Sequence, residues 1–404
     1  MAAIMSNPSQ GPRLSTLILL SAFAILPINI FLPSLPNMAA AFGVDYGVMG
    51  LALTAYAMVS ACLQVVLGPL SDRFGRRPVI LWGLAIFVVA SLGCAFAPDA
   101  ATLLACRMVQ AVIAPTYAVS IAVIRDTTNK EQTAGKIGYV AMAWAVAPML
   151  GPTLGGLLDQ AFGWRASFWF LAIAGMGVFA LCWFDLRETN HSRSSTIAEQ
   201  FRAYPELLGS PRFWAYALCM AFSVGAFYAF LAGAPLAAGV ALNLSPAMLG
   251  LAMGSITAGF MFGSFLAGRL AGRYRLTTML VAGRGFACAG LLLGLALAGI
   301  DHVLALFGPC LAVGIANGLT QPGANAGAVS VRRQHTGSAA GLAGAIAVAG
   351  GATMSAVSGA VLTAENARYA LLGVMLASAL MALAAALAAH RLETADYSPS
   401  NPSR

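Results

Sequence analysis

FLPSLPNMAAAFGVDYGVMGLA, Phe31 to Ala52, returns about two hundred residues later as FLAGAPLAAGVALNLSPAMLGLA, Phe230 to Ala252, and the match runs on to a loop glycine, Gly68 against Gly268. Each copy begins inside one apolar run and ends inside the next. The chain is therefore two similar halves, with the first and second apolar runs of one half repeated as the first and second of the other.

Extending outward from the repeat, a ruler of about 20 apolar residues per bilayer crossing places spans at 14–36, 47–69, 79–97, 101–123, 138–158 and 165–185 in the first half. The second half gives 213–234, 246–267, 278–298, 302–328, 338–362 and 367–389. Between the two sixes lies the longest polar stretch, Leu186 to Arg212, carrying Arg187, Glu188, His191, Arg193, Glu199, Arg202 and Arg212. The expected fold is an all-α membrane protein of 12 transmembrane helices in two six-helix bundles. Residues 1–185 form the first bundle, 186–212 a cytoplasmic linker, and 213–404 the second bundle with a short cytoplasmic tail.

Composition excludes the soluble alternatives. Hydrophobic residues make up 59% of the 404 and charged residues 9%, against about 25% charged in soluble domains, so a water-facing surface cannot be assembled. The first apolar run, Leu14 to Pro36, is longer than a signal-peptide core and is read as a spanning helix. Cys62, Cys94, Cys106, Cys182, Cys219, Cys288 and Cys310 stand singly in apolar stretches without metal-ligand spacing. They are read as small hydrophobes, and no metal or cofactor is expected.

Charge placement sets the orientation. With the N-terminus inside, Arg73, Arg76, Arg77, Arg125, Lys130, Lys136, the linker arginines, Arg269, Arg273, Arg275, Arg332, Arg333 and Arg391 all fall on the cytoplasmic side, and only Arg107, Arg165 and Arg368 on or toward the other. Both termini are then cytoplasmic. The net charge of +8 is accounted for by topology and anionic lipid, without nucleic acid.

The second and third spans are joined by GPLSDRFGRRPV, Gly68 to Val79, read as a very short loop with one carboxylate, three arginines and two glycines. Glycine permits close approach and tight reversal, and Asp72 beside a helix end can pair with arginine or accept from backbone amides. Gly68, Asp72, Arg73, Gly75, Arg76 and Arg77 are the candidate gating latch on one membrane face. The second-half copy, GRLAGRYR from Gly268, has Gly272 where Asp72 stands, so the latch is expected to be asymmetric.

This string resembles the loop motif between the second and third helices of the major facilitator superfamily, and two further stretches agree with it. Arg107, Met108, Val109 and Gln110 are similar to that family's RxxQ element. PMLGPTLGG, with Pro148, Gly151, Pro152, Gly155 and Gly156, is similar to the antiporter motif of its drug exporters, where glycines thin and bend the fifth helix. FLPSLP in span 1, Arg125-Asp126 after span 4 and FLAGAP in span 7 point more narrowly to the Bcr/CflA drug-resistance group. The resemblance implies a monomeric exporter of the bacterial inner membrane. It also implies a site near the midplane between two rocking halves, lined by helices 1, 4, 7 and 10, with a proton as coupling ion.

Ionisable or polar residues inside a span are functional candidates because charge in hydrocarbon is costly. Arg107, Gln110 and Tyr117 share one helical face. Asn317, Gln321 and Asn325 recur every four residues in span 10, and Tyr56, Ser60 and Gln64 do so in span 2. Asn29 and Tyr228 occupy nearly equivalent repeat positions. The Bcr/CflA pattern at span 1 is Asp-x-Tyr-Leu-Pro, whereas this chain has Asn29-Ile30-Phe31-Leu32-Pro33. The carboxylate that would carry a proton is replaced by an amide, which cannot titrate. Every Asp and Glu is read as lying in a loop or near a span end.

The expected activity is thus secondary active export of a small amphipathic compound by alternating access, coupled to proton entry, with neutral or anionic cargo favoured over organic cations. An uncoupled facilitator or a metabolite exporter is the rival within the class. A polytopic membrane enzyme is disfavoured, because His191, His302, His335 and His390 are far apart in loops or at span ends.

Overall fold

The computed structural model of the protein describes residues 11–128, 130–190, 205–242, 244–270, 273–331 and 336–396. His191, Arg193, Glu199, Arg202, Gly272, Arg332, Arg333 and His335 lie outside the described residues, as do the surroundings of Gly68 and the side chains of Asp72, Arg125, Lys130 and Pro148.

Fourteen α-helices build the two bundles among the described residues. The N-terminal bundle contains α1 (Leu14–Asn29), α2 (Leu35–Phe42), α3 (Tyr46–Phe74), α4 (Arg76–Ala95), α5 (Ala100–Gln110), α6 (Thr116–Thr127), α7 (Lys130–Phe162) and α8 (Arg165–Asp185). The C-terminal bundle contains α9 (Pro211–Leu242), α10 (Pro246–Leu270), α11 (Leu276–Leu297), α12 (Val303–Ser330), α13 (Thr336–Val361) and α14 (Ala367–Asp396). Among the described residues 11 crossings are long and apolar enough to span a bilayer, and the fifth predicted crossing falls within the 33-residue α7.

Two crossings are interrupted, and proline explains both. The first divides after Asn29 into a 3-10 turn, Leu32–Ser34, before α2. Pro33 and Pro36 lack the backbone donor that a continuous helix needs there. The fourth divides at the 3-10 turn Ala111–Ile113 ahead of Pro115. A backbone carbonyl freed at that break, that of Ile113, accepts from the Thr116 hydroxyl at 2.6 Å.

GPLSDRFGRRPV is not the short loop expected from its composition. Gly68 to Phe74 forms the last turns of α3, Gly75 alone breaks the helix at φ +105°, and α4 starts at Arg76. Only glycine tolerates that backbone, so the reversal takes one residue and the charges flank it on two helix ends.

Within the bundles, α1 packs on α7 and α4 on α8, while α9 packs on α13 and α14, and α12 on α10 and α11. Lipid gives no hydrophobic drive for helix association, so close van der Waals contact must supply it. The α10–α12 pair does this with glycines: a Cβ on Gly259 or Gly263 would strike the carbonyls of Leu311 or Ile315, and one on Gly314 or Gly318 those of Ile256 or Phe260. The internal repeat also shows in the loops. Arg165, opening α8, donates to the carbonyl of Ala97 at 3.1 Å. Arg368, near the start of α14, donates to that of Ala298 at 3.2 Å. Each arginine thus caps the negative end of its bundle's third crossing.

The bundles meet along α7–α10 and α3–α13, and the close approaches lie toward the side opposite the termini. Gly156 faces the backbone of Pro246 and Ala247, Gly250 faces Pro152 and Thr153, and Gly47 faces Gly359. Tyr46 donates across the seam to the carbonyl of Ala232, and the Thr54 hydroxyl donates to the hydroxyl oxygen of Ser355 at 2.9 Å.

Candidate functional site

Arg107 is fully buried on α5, with its guanidinium carbon 4.2 Å from the ring centre of Phe31 and 4.5 Å from that of Tyr56. The break in the first crossing supplies Phe31, and α3 supplies Tyr56. Nη1 donates to Oε1 of Gln110 at 2.7 Å, Gln110 Nε2 donates to the hydroxyl of Ser91 on α4 at 2.7 Å, and that hydroxyl donates to the carbonyl of Phe87. Nε and Nη2 have no hydrogen-bond partner, and among the described residues no carboxylate pairs with Arg107. The charge is held by two aromatic faces, a contact worth about 2 kcal/mol or more once desolvated. Arg107 and Gln110 share a face as expected from their spacing, but Tyr117 does not continue it on the same helix, because the 3-10 turn Ala111–Ile113 and Pro115 break the crossing and put it on α6. Phe31 and Ser91 are brought in by other helices.

Tyr56 is buried with its hydroxyl unpartnered, as is that of Ser60 one turn on. Tyr228 on α9 is buried against Gly351 of α13. Tyr117 is half-buried on α6. Asn29 is buried against α7: its amide donates to the carbonyl of Ile25 at 2.9 Å, its Oδ1 has no partner, and Gly151 of α7 packs against its Cβ.

The span 10 amides all lie on α12 but in different surroundings. Asn317 is buried, Gln321 is half-buried with Oε1 unpartnered, and Asn325 is exposed. Asn317 is engaged by Arg284, a second fully enclosed arginine that the sequence reading passed over. Arg284 Nη1 donates to Asn317 Oδ1 at 2.6 Å and Nη2 to the carbonyl of Ala316 at 3.4 Å, while Asn317 Nδ2 donates to the carbonyl of Ser223 at 3.2 Å. The signal was present, since Arg284 interrupts the apolar run 278–298 as Arg107 interrupts 101–123.

At the terminus-bearing end, the latch residues are held by Ser71 and Phe74 of the motif itself and by Glu188, Asp126 and Trp183 from outside it. Glu188, just past α8, accepts from the backbone N–H groups of Arg76 and Arg77 at 3.0 and 3.3 Å. An anion at the positive end of α4 is favoured there. Arg76 pairs with Asp126 at 3.3 Å and donates to the Ser71 hydroxyl at 2.5 Å, and Arg77 stacks on Trp183. Arg73 is exposed, over the ring of Phe74. In the C-terminal bundle Glu393 takes the comparable place, accepting from Arg212, Tyr216 and Thr277.

The fifth-helix motif is a packing surface on both flanks. A Cβ on Gly151 or Gly155 would collide with Asn29 or with the carbonyl of Ile30, and one on Gly156 with Pro246 of the other bundle. Pro152 is the α7 residue against which Gly250 rests. Among the described residues no cluster of His, Cys, Asp and Glu could hold a metal ion. The one buried carboxylate among them is Asp159, which accepts from Asn37 at 2.8 Å near the end of α7.

The profile of the Major Facilitator Superfamily matches residues 17–356 and 240–403. A chloramphenicol resistance protein of Pseudomonas aeruginosa is 33% identical over 309 residues, covering 74% of this chain and 73% of that one. The multidrug resistance protein MdtL of Escherichia coli O127:H6 is 29% identical over 294 residues, covering 70% and 71%. Among solved structures, a bacterial homologue of the human lysosomal transporter Spinster superposes with a TM-score of 0.78 at 16% identity, covering 96% of this chain and 98% of that one. The chain belongs to the major facilitator superfamily and is a multi-pass membrane transporter, not an enzyme.

Proposed function

We propose that the protein is a secondary active drug exporter of the bacterial inner membrane, of the Bcr/CflA type, that moves neutral or anionic amphipathic compounds outward by alternating access. The observation that carries this reading is Arg107: a buried, permanent positive charge with two unpartnered N–H edges and, among the described residues, no carboxylate paired with it. A site built this way donates hydrogen bonds and repels cations, because an isolated charge acts strongly in a medium of low permittivity. The names of relatives, a chloramphenicol resistance protein and a multidrug resistance protein, support export of drugs. With both termini in the cytoplasm and residues 1–185 and 213–404 moving as the two halves, the described contacts close the periplasmic side.

Coupling to proton entry is part of the proposal, and one observation favours an uncoupled facilitator instead. Asn29 stands where the Bcr/CflA aspartate belongs, its amide committed to Ile25. Expression in a strain lacking its main efflux pumps, scored against neutral, anionic and cationic antibiotics, tests the substrate class. Protection should include chloramphenicol and spare cationic dyes, and protection confined to the dyes would overturn it. Proton flux on adding chloramphenicol to proteoliposomes decides between coupled and uncoupled transport.

A further inference from the structure

Arg284 lies between α9, α11 and α12, and its chemistry repeats that of Arg107 in the opposite bundle. In each case a buried guanidinium donates to the oxygen of a side-chain amide, and the amide nitrogen donates onward to a neighbouring helix: Arg107 to Gln110 to Ser91, and Arg284 to Asn317 to Ser223. In both the amide oxygen is committed to the arginine, and each arginine keeps an Nε without a partner. Among the described residues neither has a carboxylate counter-charge. Burying two uncompensated charges in a membrane protein is costly, and packing alone does not require it, since an apolar side chain of similar volume fills such a position as well or better.

We infer that Arg284 is a second specificity-determining residue, which fixes the Asn317 amide with its oxygen turned to the guanidinium and places a permanent positive charge in the C-terminal bundle, so that the pathway selects against cations from both sides. This rests on the transport reading above and extends it to a residue and a bundle that the reading did not use. A unit charge about 10 Å away at an effective permittivity of about 20 changes the affinity of an ion on the order of tenfold. Removing it strengthens a cation and weakens an anion by that factor, whatever the shape of the ion.

The test uses two probes of nearly the same shape and opposite charge, tetraphenylborate and tetraphenylphosphonium, binding to the full-length protein in lipid nanodiscs. Partition into lipid is common to all variants and cancels between them. The wild type is expected to favour the borate, with Arg284→Met and Asn317→Asp each moving the ratio of the two affinities by about a hundredfold toward the phosphonium and Arg284→Lys retaining the wild-type ratio. Asn317→Asp keeps the shape of the node and pairs with Arg284, so it reports charge even where the methionine variant fails to fold. A wild type that favours the borate while a folded Arg284→Met or Asn317→Asp keeps the same ratio overturns the inference alone. A wild type that binds neither ion, or favours the phosphonium, overturns it together with the proposed substrate class.

Discussion

Phe31 and Arg107 are in direct contact, the guanidinium lying over the phenyl ring at 4.2 Å. The ring comes from the interrupted first crossing and the charge from the interrupted fourth. The break in the first crossing is thereby tied to the fourth crossing one turn before its own break, with Tyr56 a second ring 4.5 Å from the same guanidinium. A rearrangement of the first crossing must loosen that stack, which links the backbone irregularities to the proposed work of the site.

Replacing Arg107 separates function from stability. Arg107→Met removes a buried, unpaired charge, so the melting temperature should stay within a few degrees of wild type or rise. Efflux of chloramphenicol should fall at least tenfold. A variant that melts early and transports in proportion to the folded fraction would make the residue structural only.

Gly156 predicts the opposite pattern. Leucine there overpacks against Pro246 and should cost about 1–3 kcal/mol, all of it borne by the state in which α7 and α10 touch. The closed contact should lose population by about 5- to 150-fold. Water-soluble thiol reagents added from the side opposite the termini should then label single cysteines near the seam faster, and unchanged labelling contradicts the assignment.

Two positive-φ glycines give a controlled comparison. Gly43 has φ +64° and open space around it, whereas at Gly75, φ +105°, a Cβ would meet the carboxylate of Glu188. Gly43→Ala should cost about 1–2 kcal/mol, the ordinary left-handed penalty. Gly75→Ala should cost more and should also release Glu188 from α4, so Glu188→Gln should reproduce part of its effect. Equal thermal shifts for the two alanine variants would show that Glu188 contributes nothing.

Asn29→Asp restores a carboxylate to the first crossing. It should strengthen export of cationic dyes and make that dye export depend on pH through the new carboxylate. Dye efflux measured at several pH values checks both, and equally strong cationic export by the unaltered protein contradicts the reading.

The architecture was legible because lipid imposes a simple code. Twenty apolar residues per crossing, basic residues in the loops and a repeat at Phe31 and Phe230 are one-dimensional signals. The helix breaks were less visible: Pro33 and Pro115 mark them, but hydropathy averages across a three-residue turn. The composition of GPLSDRFGRRPV suggested a loop, yet only Gly75 leaves the helix, because a tight reversal needs one residue at positive φ and the rest can remain helical.

The candidate site was legible only within single helices. Arg107 and Gln110 are three apart and their bond follows from helical spacing, whereas Ser91, Phe31 and Glu188 reach their partners through tertiary packing that spacing does not encode. Arg284 is a different matter. The rule that singled out Arg107 applied to it equally, and its partner Asn317 had already been selected for its own position.

The central claim is that the bundles separate and rejoin on the side opposite the termini during transport. Thr54 and Ser355, whose hydroxyl oxygens lie 2.9 Å apart across the seam, allow it to be tested with a reversible bond. In a protein freed of its seven native cysteines, Thr54→Cys with Ser355→Cys should cross-link on oxidation, stop chloramphenicol efflux, and recover it on reduction. Full efflux by the cross-linked protein would contradict the account.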